Sequence, residues 1–228
     1  MGAKLKVNMI ENLTDKNLFL IRHGQSTYNL ENRFTGWKDV DLTELGRSQA
    51  IEAGNILNGI IFDSCYTSDL KRAHHTLELI LNQMNHDPMI HRDEALNERD
   101  YGDLIGQNKA EAAEKFGKEQ VQIWRRSFDT PPPGGESLKM TAERTLPYYK
   151  DIIHPEVLNR KNIAISAHGN SIRAIVMDIF NLTPNQILKT EIGWCEPWII
   201  SFDNNGEILN HQIIGRDSEP SKSHLCII

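Results

Sequence analysis

The sequence predicts an α/β fold: a single domain with a mostly parallel central sheet flanked by helices on both faces. Three observations carry this. Short apolar runs alternate with segments of helical period along the chain, the pattern of strands joined by crossover helices. Two of those runs end in the same dipeptide, at His23-Gly24 and His168-Gly169. The 228 residues, 39% hydrophobic and 25% charged, are enough for one sizeable core and argue against disorder.

The elements follow in order. Residues 18–21 (Leu-Phe-Leu-Ile) form a buried strand that ends at Arg22-His23-Gly24. Thr43 caps a helix to about Leu57, and residues 62–67 read as a second strand. Ser68 then caps a helix whose apolar row is Leu70, Ala73, Leu77, Ile80, Leu81 and Met84, a 3.6-residue period. Residues 88–91 read as a short strand. Asn108 with Glu111 resembles a capping box, and Gly117 closes the helix it opens. Residues 121–126 make one or two helical turns. Residues 137–152 are helical, with Pro147 expected to kink them. Residues 163–167 form a strand ending at His168-Gly169-Asn170, with a helix over 171–180. Thr183-Pro184 restarts helix with proline at the first helical position. Residues 198–202, the turn Asn204-Asn205-Gly206 and a return at Ile208-Leu209 close the pattern.

No repeat or low-complexity linker interrupts the chain. Pro131-Pro132-Pro133-Gly134-Gly135 is a stiff loop inside one domain. The expected organisation is an N-terminal extension over residues 1–16, a catalytic domain over 17–214 and a flexible tail over 215–228. A net charge of -6 gives no reason to expect nucleic acid, while a local cluster of arginines can still attract a small anion. Three irregularly spaced cysteines, Cys65, Cys195 and Cys226, point to a reducing compartment. There is no apolar run of signal-peptide length at the N-terminus and none of membrane-spanning length. Cys226, third from the end, does not fit a prenylation box. A soluble, cytoplasmic protein without a membrane partner is expected.

In parallel sheets the ligand crevice lies beyond the carboxyl ends of the strands. If the two His-Gly strands are neighbours, His23, His168, Arg22 and Arg72 face one crevice. A neutral imidazole can attack phosphorus. Arg22 and Arg72 are permanently charged forks that fit phosphate oxygens, and His168 can donate to the same oxygens. This chemistry needs no metal, and no His/Cys/Asp/Glu spacing matches a zinc site. His74, His75, His86, His91, His154, His211 and His224 are read as surface residues. Glu98 is suited to shuttle a proton. Lys109, Arg125 and Arg126 could hold a second anionic group. Taken alone, each of these reads better as a solvated surface group.

Taken together, the chain resembles the cofactor-dependent phosphoglycerate mutases of the histidine phosphatase superfamily. The matching segments include Arg22-His23-Gly24-Gln25-Ser26, Arg33-Phe34-Thr35-Gly36-Trp37, Leu70-Lys71-Arg72-Ala73, Leu96-Asn97-Glu98-Arg99, Trp124-Arg125-Arg126-Ser127 and Ala167-His168-Gly169-Asn170-Ser171. The likeness runs from about Asn17 to Asp203. It implies that His23 is the phosphorylated residue, with Arg22, Arg72 and His168 in the phosphate pocket and Glu98 as proton donor and acceptor. It implies substrate contacts at Asn29, Thr35, Gly36, Arg99, Tyr101, Lys109, Arg125, Arg126, Gly169 and Asn170. It further implies interconversion of 3-phosphoglycerate and 2-phosphoglycerate, small phosphorylated three-carbon acids. The histidine is primed by 2,3-bisphosphoglycerate without a metal, in a homo-oligomeric dimer or tetramer. Three features depart from the family pattern: Asp100 after Glu98-Arg99, a two-residue loop between Pro133 and Glu136, and Gly193-Trp194-Cys195-Glu196-Pro197 near the site. The competing readings are a histidine phosphatase that hydrolyses small phosphate monoesters and a non-catalytic phospholigand-binding protein.

Overall fold

The computed structural model describes Ile10 and residues 13–214. The expected flexible tail, including His224 and Cys226, and most of the expected extension lie outside them. Six strands form one sheet: β1 (Asn17–Arg22), β2 (Ser64–Thr67), β3 (Met89–Arg92), β4 (Asn162–Ala167), β5 (Trp198–Phe202) and β6 (Ile208–Ile213), in the order β3-β2-β4-β1-β5-β6. The four strands from β3 to β1 run parallel, and β5 and β6 are added antiparallel. The helices are α1 (Thr27–Leu30), α2 (Glu44–Ile56), α3 (Lys71–Met84), α4 (Lys109–Phe116), α5 (Lys118–Arg126), α6 (Leu138–Tyr148), α7 (His154–Leu158), α8 (Gly169–Ile179) and α9 (Pro184–Lys189).

β1 shows why the fold is α/β. Leu18 and Leu20 face a core built with Ile172, Ile175 and Val176 of α8 and Leu138 of α6. Phe19 and Ile21 face the opposite core, with Ala50 and Ala53 of α2 and Leu77 and Ile80 of α3. Both faces are covered, so the strand has no polar side and reads as an unbroken apolar run. A third, small cluster of Phe34, Leu104, Ala112 and Val121 supports α4 and α5 away from the sheet. Among the described residues, no helix is long and apolar enough to cross a membrane.

Several expectations meet a different arrangement. Ser68 does not cap α3: its N-cap residue is Leu70, without a side-chain cap. Asn108 caps α4 alone, accepting from the Ala110 amide. The helix through Pro147 does not break; α6 passes into a π turn, Tyr149–Ile153, so the distortion appears as a local widening. The six described histidines first read as surface residues are all at least partly buried. His91 stacks on Tyr66, His154 meets Tyr149 and His211 packs on Phe180, because an imidazole has an apolar ring face that can cover a neighbour.

The turn after β1 is set by close approach. A Cβ on Gly24 would stand 2.3 Å from the Gly46 carbonyl oxygen at the start of α2. The Gly24 amide is also fixed, donating to Thr76 Oγ1 of α3 at 3.1 Å. Gly24→Ala therefore forces backbone apart, and overpacking of this kind costs roughly 1–3 kcal/mol. We expect a lowered urea midpoint and impaired activity in this variant. A parent-like midpoint would show that the contact is not binding.

Candidate active site

β1 and β4 are adjacent and parallel, with Arg22 in register with Ala167. Their ends therefore deliver His23 and His168 side by side. The ring centroids are 5.0 Å apart at an interplanar angle of 59°. The His23 amide donates to the Ala167 carbonyl at 3.0 Å, which locks the two strand ends together. The rings are 2% and 0% exposed, so almost no water reaches them.

Their hydrogen bonds assign the protons. His23 Nδ1 lies 2.7 Å from the Gly24 carbonyl oxygen. A carbonyl can only accept, so Nδ1 carries the proton and Nε2 keeps its lone pair. His168 Nε2 lies 2.7 Å from Ser68 Oγ. Ser68 Oγ also accepts from the Leu70 amide; with the hydroxyl proton directed to Nε2, the His168 proton sits on Nδ1. That Nδ1 is buried without a hydrogen-bond partner among the described residues, as are Nε of Arg22 and Nε of Arg72. Three buried N–H donors in one cluster fit an anion there, because unpaired buried donors are costly.

The arginines are anchored by backbone carbonyls. Arg72 donates through Nη1 to Lys38 and through Nη2 to Gly36. Arg22 donates through Nη1 to Ile192. Burial holds the His23 imidazole well below its ordinary range, and the Arg72 and Arg22 charges add to this. The hydrogen bond to Gly24 acts in the opposite sense and does not win. Burial likewise depresses His168, followed by Arg72 and His23. Arg72 is itself lowered to about 10 by burial, which leaves it charged at neutral pH.

Beside the histidines lies a polar cavity of about 160 Å³, lined by Arg22, Asn29, Thr35, Glu98, Tyr101, Lys109, Arg125, Arg126, Gly169 and Asn170, together with Arg33, Phe34 and Arg173. Six cations face one carboxylate. Burial lowers Lys109 and Arg125, as expected where positive groups crowd with little water. Of the expected contact residues, Gly36 and Arg99 are outside this wall. Gly36 serves through its carbonyl on Arg72. Arg99 is 1% exposed and donates to the Trp124 and Arg125 carbonyls at the end of α5, which positions Arg125 and Arg126.

Glu98 is oriented through one oxygen. Oε1 accepts from the Arg99 amide, the Asn170 amide and Asn170 Nδ2, at 2.9, 3.1 and 3.0 Å. Oε2 is the oxygen left for proton exchange. The Glu98 carbonyl is pinned by Trp37 Nε1 at 2.7 Å and by Arg144 Nη2 at 3.2 Å. Arg144 also forms a two-pronged pair with Glu136 and bonds the Glu94, Ala95 and Asn97 carbonyls.

Ser68, Arg144 and Arg173 are the residues that sequence reasoning missed. Arg173 holds the Thr190 and Gly169 carbonyls. The segment 190–196 does run against the site. The Cys195 amide donates to the Arg22 carbonyl at 2.9 Å, and the Arg22 guanidinium lies 5.5 Å from the Trp194 ring centroid.

The pH dependence of stability follows in sign. The folded imidazoles of His23 and His168 bind protons more weakly than the unfolded chain, where histidine titrates near ~6.5. The unfolded state takes up protons first as pH falls, so stability is full above about 6.5 and declines below it. His74, His154 and His211 are lowered as well and act in the same direction. We expect the urea midpoint to drop between about pH 6.5 and 5, where carboxylates are still largely ionised. Nitrogen-15 NMR should show neutral His23 with its proton on Nδ1 at pH 6. An imidazolium signal there would contradict the assignment.

Comparison with known proteins agrees with the architecture. The family model of the histidine phosphatase superfamily (branch 1) matches residues 18–213. A protein of Nitrobacter winogradskyi is 53% identical over 199 residues, 86% of this chain and 96% of that protein. One of Bradyrhizobium diazoefficiens is 54% identical with the same coverage. Both are named 2,3-bisphosphoglycerate-dependent phosphoglycerate mutase. Among solved structures, Bacillus stearothermophilus YhfR superposes with a TM-score of 0.77 at 25% identity, covering 89% of this chain and 98% of that one. A mycobacterial glucosyl-3-phosphoglycerate phosphatase superposes at 0.75 and 25%, covering 88% and 98%. The chain belongs to the histidine phosphatase superfamily and, within it, to the family of the 2,3-bisphosphoglycerate-dependent phosphoglycerate mutases.

Proposed function

We propose that this chain is a phosphoglycerate mutase that interconverts 3-phosphoglycerate and 2-phosphoglycerate through phosphorylation of His23. The observation that carries the reading is the His23 ring: neutral, buried, with Nδ1 committed to the Gly24 carbonyl and Nε2 free to attack. Nε2 forms a bond to phosphorus as the phosphorus–oxygen bond opposite it breaks. Arg22, Arg72 and His168 Nδ1 hold the oxygens of the group in transfer. Their fixed positive charge and dipoles lower the barrier without reorganisation. Glu98 Oε2 gives a proton to the departing oxygen and recovers one from the attacking hydroxyl in the return step.

The residues present fit 2,3-bisphosphoglycerate. Three unpaired donors lie at the histidine end, and Lys109, Arg125 and Arg126 stand in the cavity wall. This gives separate cationic groupings for the separate anionic groups of one ligand. When bound, that cofactor supplies the phosphoryl group that primes His23. The arginines provide the charge that transfer requires, so the reading includes no catalytic metal. A reducing, cytoplasmic setting belongs to the same proposal. It is supported by Cys65 and Cys195, which are free and buried, with burial pushing both thiols up to about 12. Assembly as a homo-oligomer is carried over from the family resemblance.

The second reading is hydrolysis of phosphate monoesters. It is favoured by the mycobacterial phosphatase of similar fold, and its chemistry at His23 would be the same with water as acceptor. The mutase reading is preferred because relatives sharing half the sequence carry that name. A side-by-side assay decides between them. With 3-phosphoglycerate, isomerisation should depend on added 2,3-bisphosphoglycerate and exceed phosphate release by at least about tenfold. Dominant phosphate release would favour the phosphatase. Glu98→Gln should lower kcat by roughly 10²–10⁴-fold, the range of general acid–base assistance. A parent-like kcat would remove Glu98 from the proton path.

A further inference from the structure

On α3, among residues that do not line the cavity, His74, His75 and Glu78 converge. One ring nitrogen of each histidine and one oxygen of Glu78 lie within 4.8 Å of one another. His74 and Glu78 are one helical turn apart on one face. We propose that these three side chains form a binding site for a divalent transition metal ion of the zinc class, separate from the catalytic cavity.

Three observations support the site. His74 is 9% exposed, and its Nδ1 is buried without a hydrogen-bond partner among the described residues. A buried nitrogen of this kind wants a partner. Glu78 Oε1 is 3.5 Å from it, long for a hydrogen bond. The distance is close to the edge of a tetrahedron with bonds of zinc length, about 3.3 Å. The His75 ring is steadied from outside the helix by Asp41, whose Oδ1 lies 2.8 Å from Nδ1. Carboxylate–histidine pairs of this type orient metal-binding imidazoles.

The competing contact is Arg92, which holds Glu78 Oε1 at 2.9 Å. Both partners are over two-fifths exposed, and an ion pair this exposed contributes little, so a metal can displace it. Water would complete the coordination. The site lies on the helix that carries Arg72 and Thr76. A bound ion would stiffen the element that anchors both the phosphate-pocket arginine and the Gly24 turn.

The test is titration of Zn2+ into the metal-stripped, untagged full chain by calorimetry. Co2+ serves as a spectroscopic probe of coordination. We expect one saturable site, a raised Tm in the presence of Zn2+, and at least tenfold weaker binding in both His75→Gln and Glu78→Gln. These side chains are 28% and 42% exposed, so the variants should fold, as circular dichroism will show. His23→Ala should keep parental Zn2+ affinity. Absence of saturable binding in the parent, parental affinity in both α3 variants, or loss of binding in His23→Ala would each overturn the proposal.

Discussion

Burying two uncharged imidazoles beside two guanidinium groups is the constraint that the rest of the structure serves. An arginine stripped of water is costly unless its donors are met. Here Arg72 is met by the Lys38 and Gly36 carbonyls and Arg22 by the Ile192 carbonyl. Among the described residues, a buried nitrogen of each guanidinium and one of His168 stay unpaired. The positive charge then acts twice. It adds to burial in keeping both histidines neutral, and it leaves buried donors facing any anion that enters. Neither effect would survive free access of water, because a high dielectric weakens both.

The sheet makes this arrangement affordable in geometry. Parallel β1 and β4 end at the same level, so two side chains separated by 145 residues meet in register. The apolar faces on each side fix that register, since a one-residue slip would turn Leu18 and Leu20 into the wrong core. Outside the sheet, arginines act as collectors of carbonyls. Arg144 gathers the loop that carries Glu98, Arg99 ties the end of α5, and Arg173 ties the segment before β5. Each bond to a charged donor is stronger than a neutral one. This suits loops that have little core of their own.

Much of the fold was legible in the sequence, for local reasons. The runs at β1 and β4 are apolar on both faces, and the helix starts read at Thr43 and Thr183 hold. The meeting of His23 and His168 could be expected from two strands ending alike. Ser68 was misread because capping rules see only the next turn, whereas its partner His168 is 100 residues away. Arg144 and Arg173 left no spacing signal, because they bind carbonyls that every residue possesses. Lys109, Arg125 and Arg126 could be assigned to a site through the family resemblance alone. Spacing alone favours a solvated helix face. The His-to-Glu spacing of four on α3 is open to view in the sequence, but nothing local to it reports that His74 is buried.

The claim underlying this account is that His23 Nε2 becomes covalently bonded to phosphorus. The direct measurement is peptide mapping after brief reaction with phosphorus-32-labelled 2,3-bisphosphoglycerate, with the digest kept alkaline. The account predicts one labelled peptide containing His23, stable to base and labile to acid. Label on another residue, or acid-stable label, would contradict it.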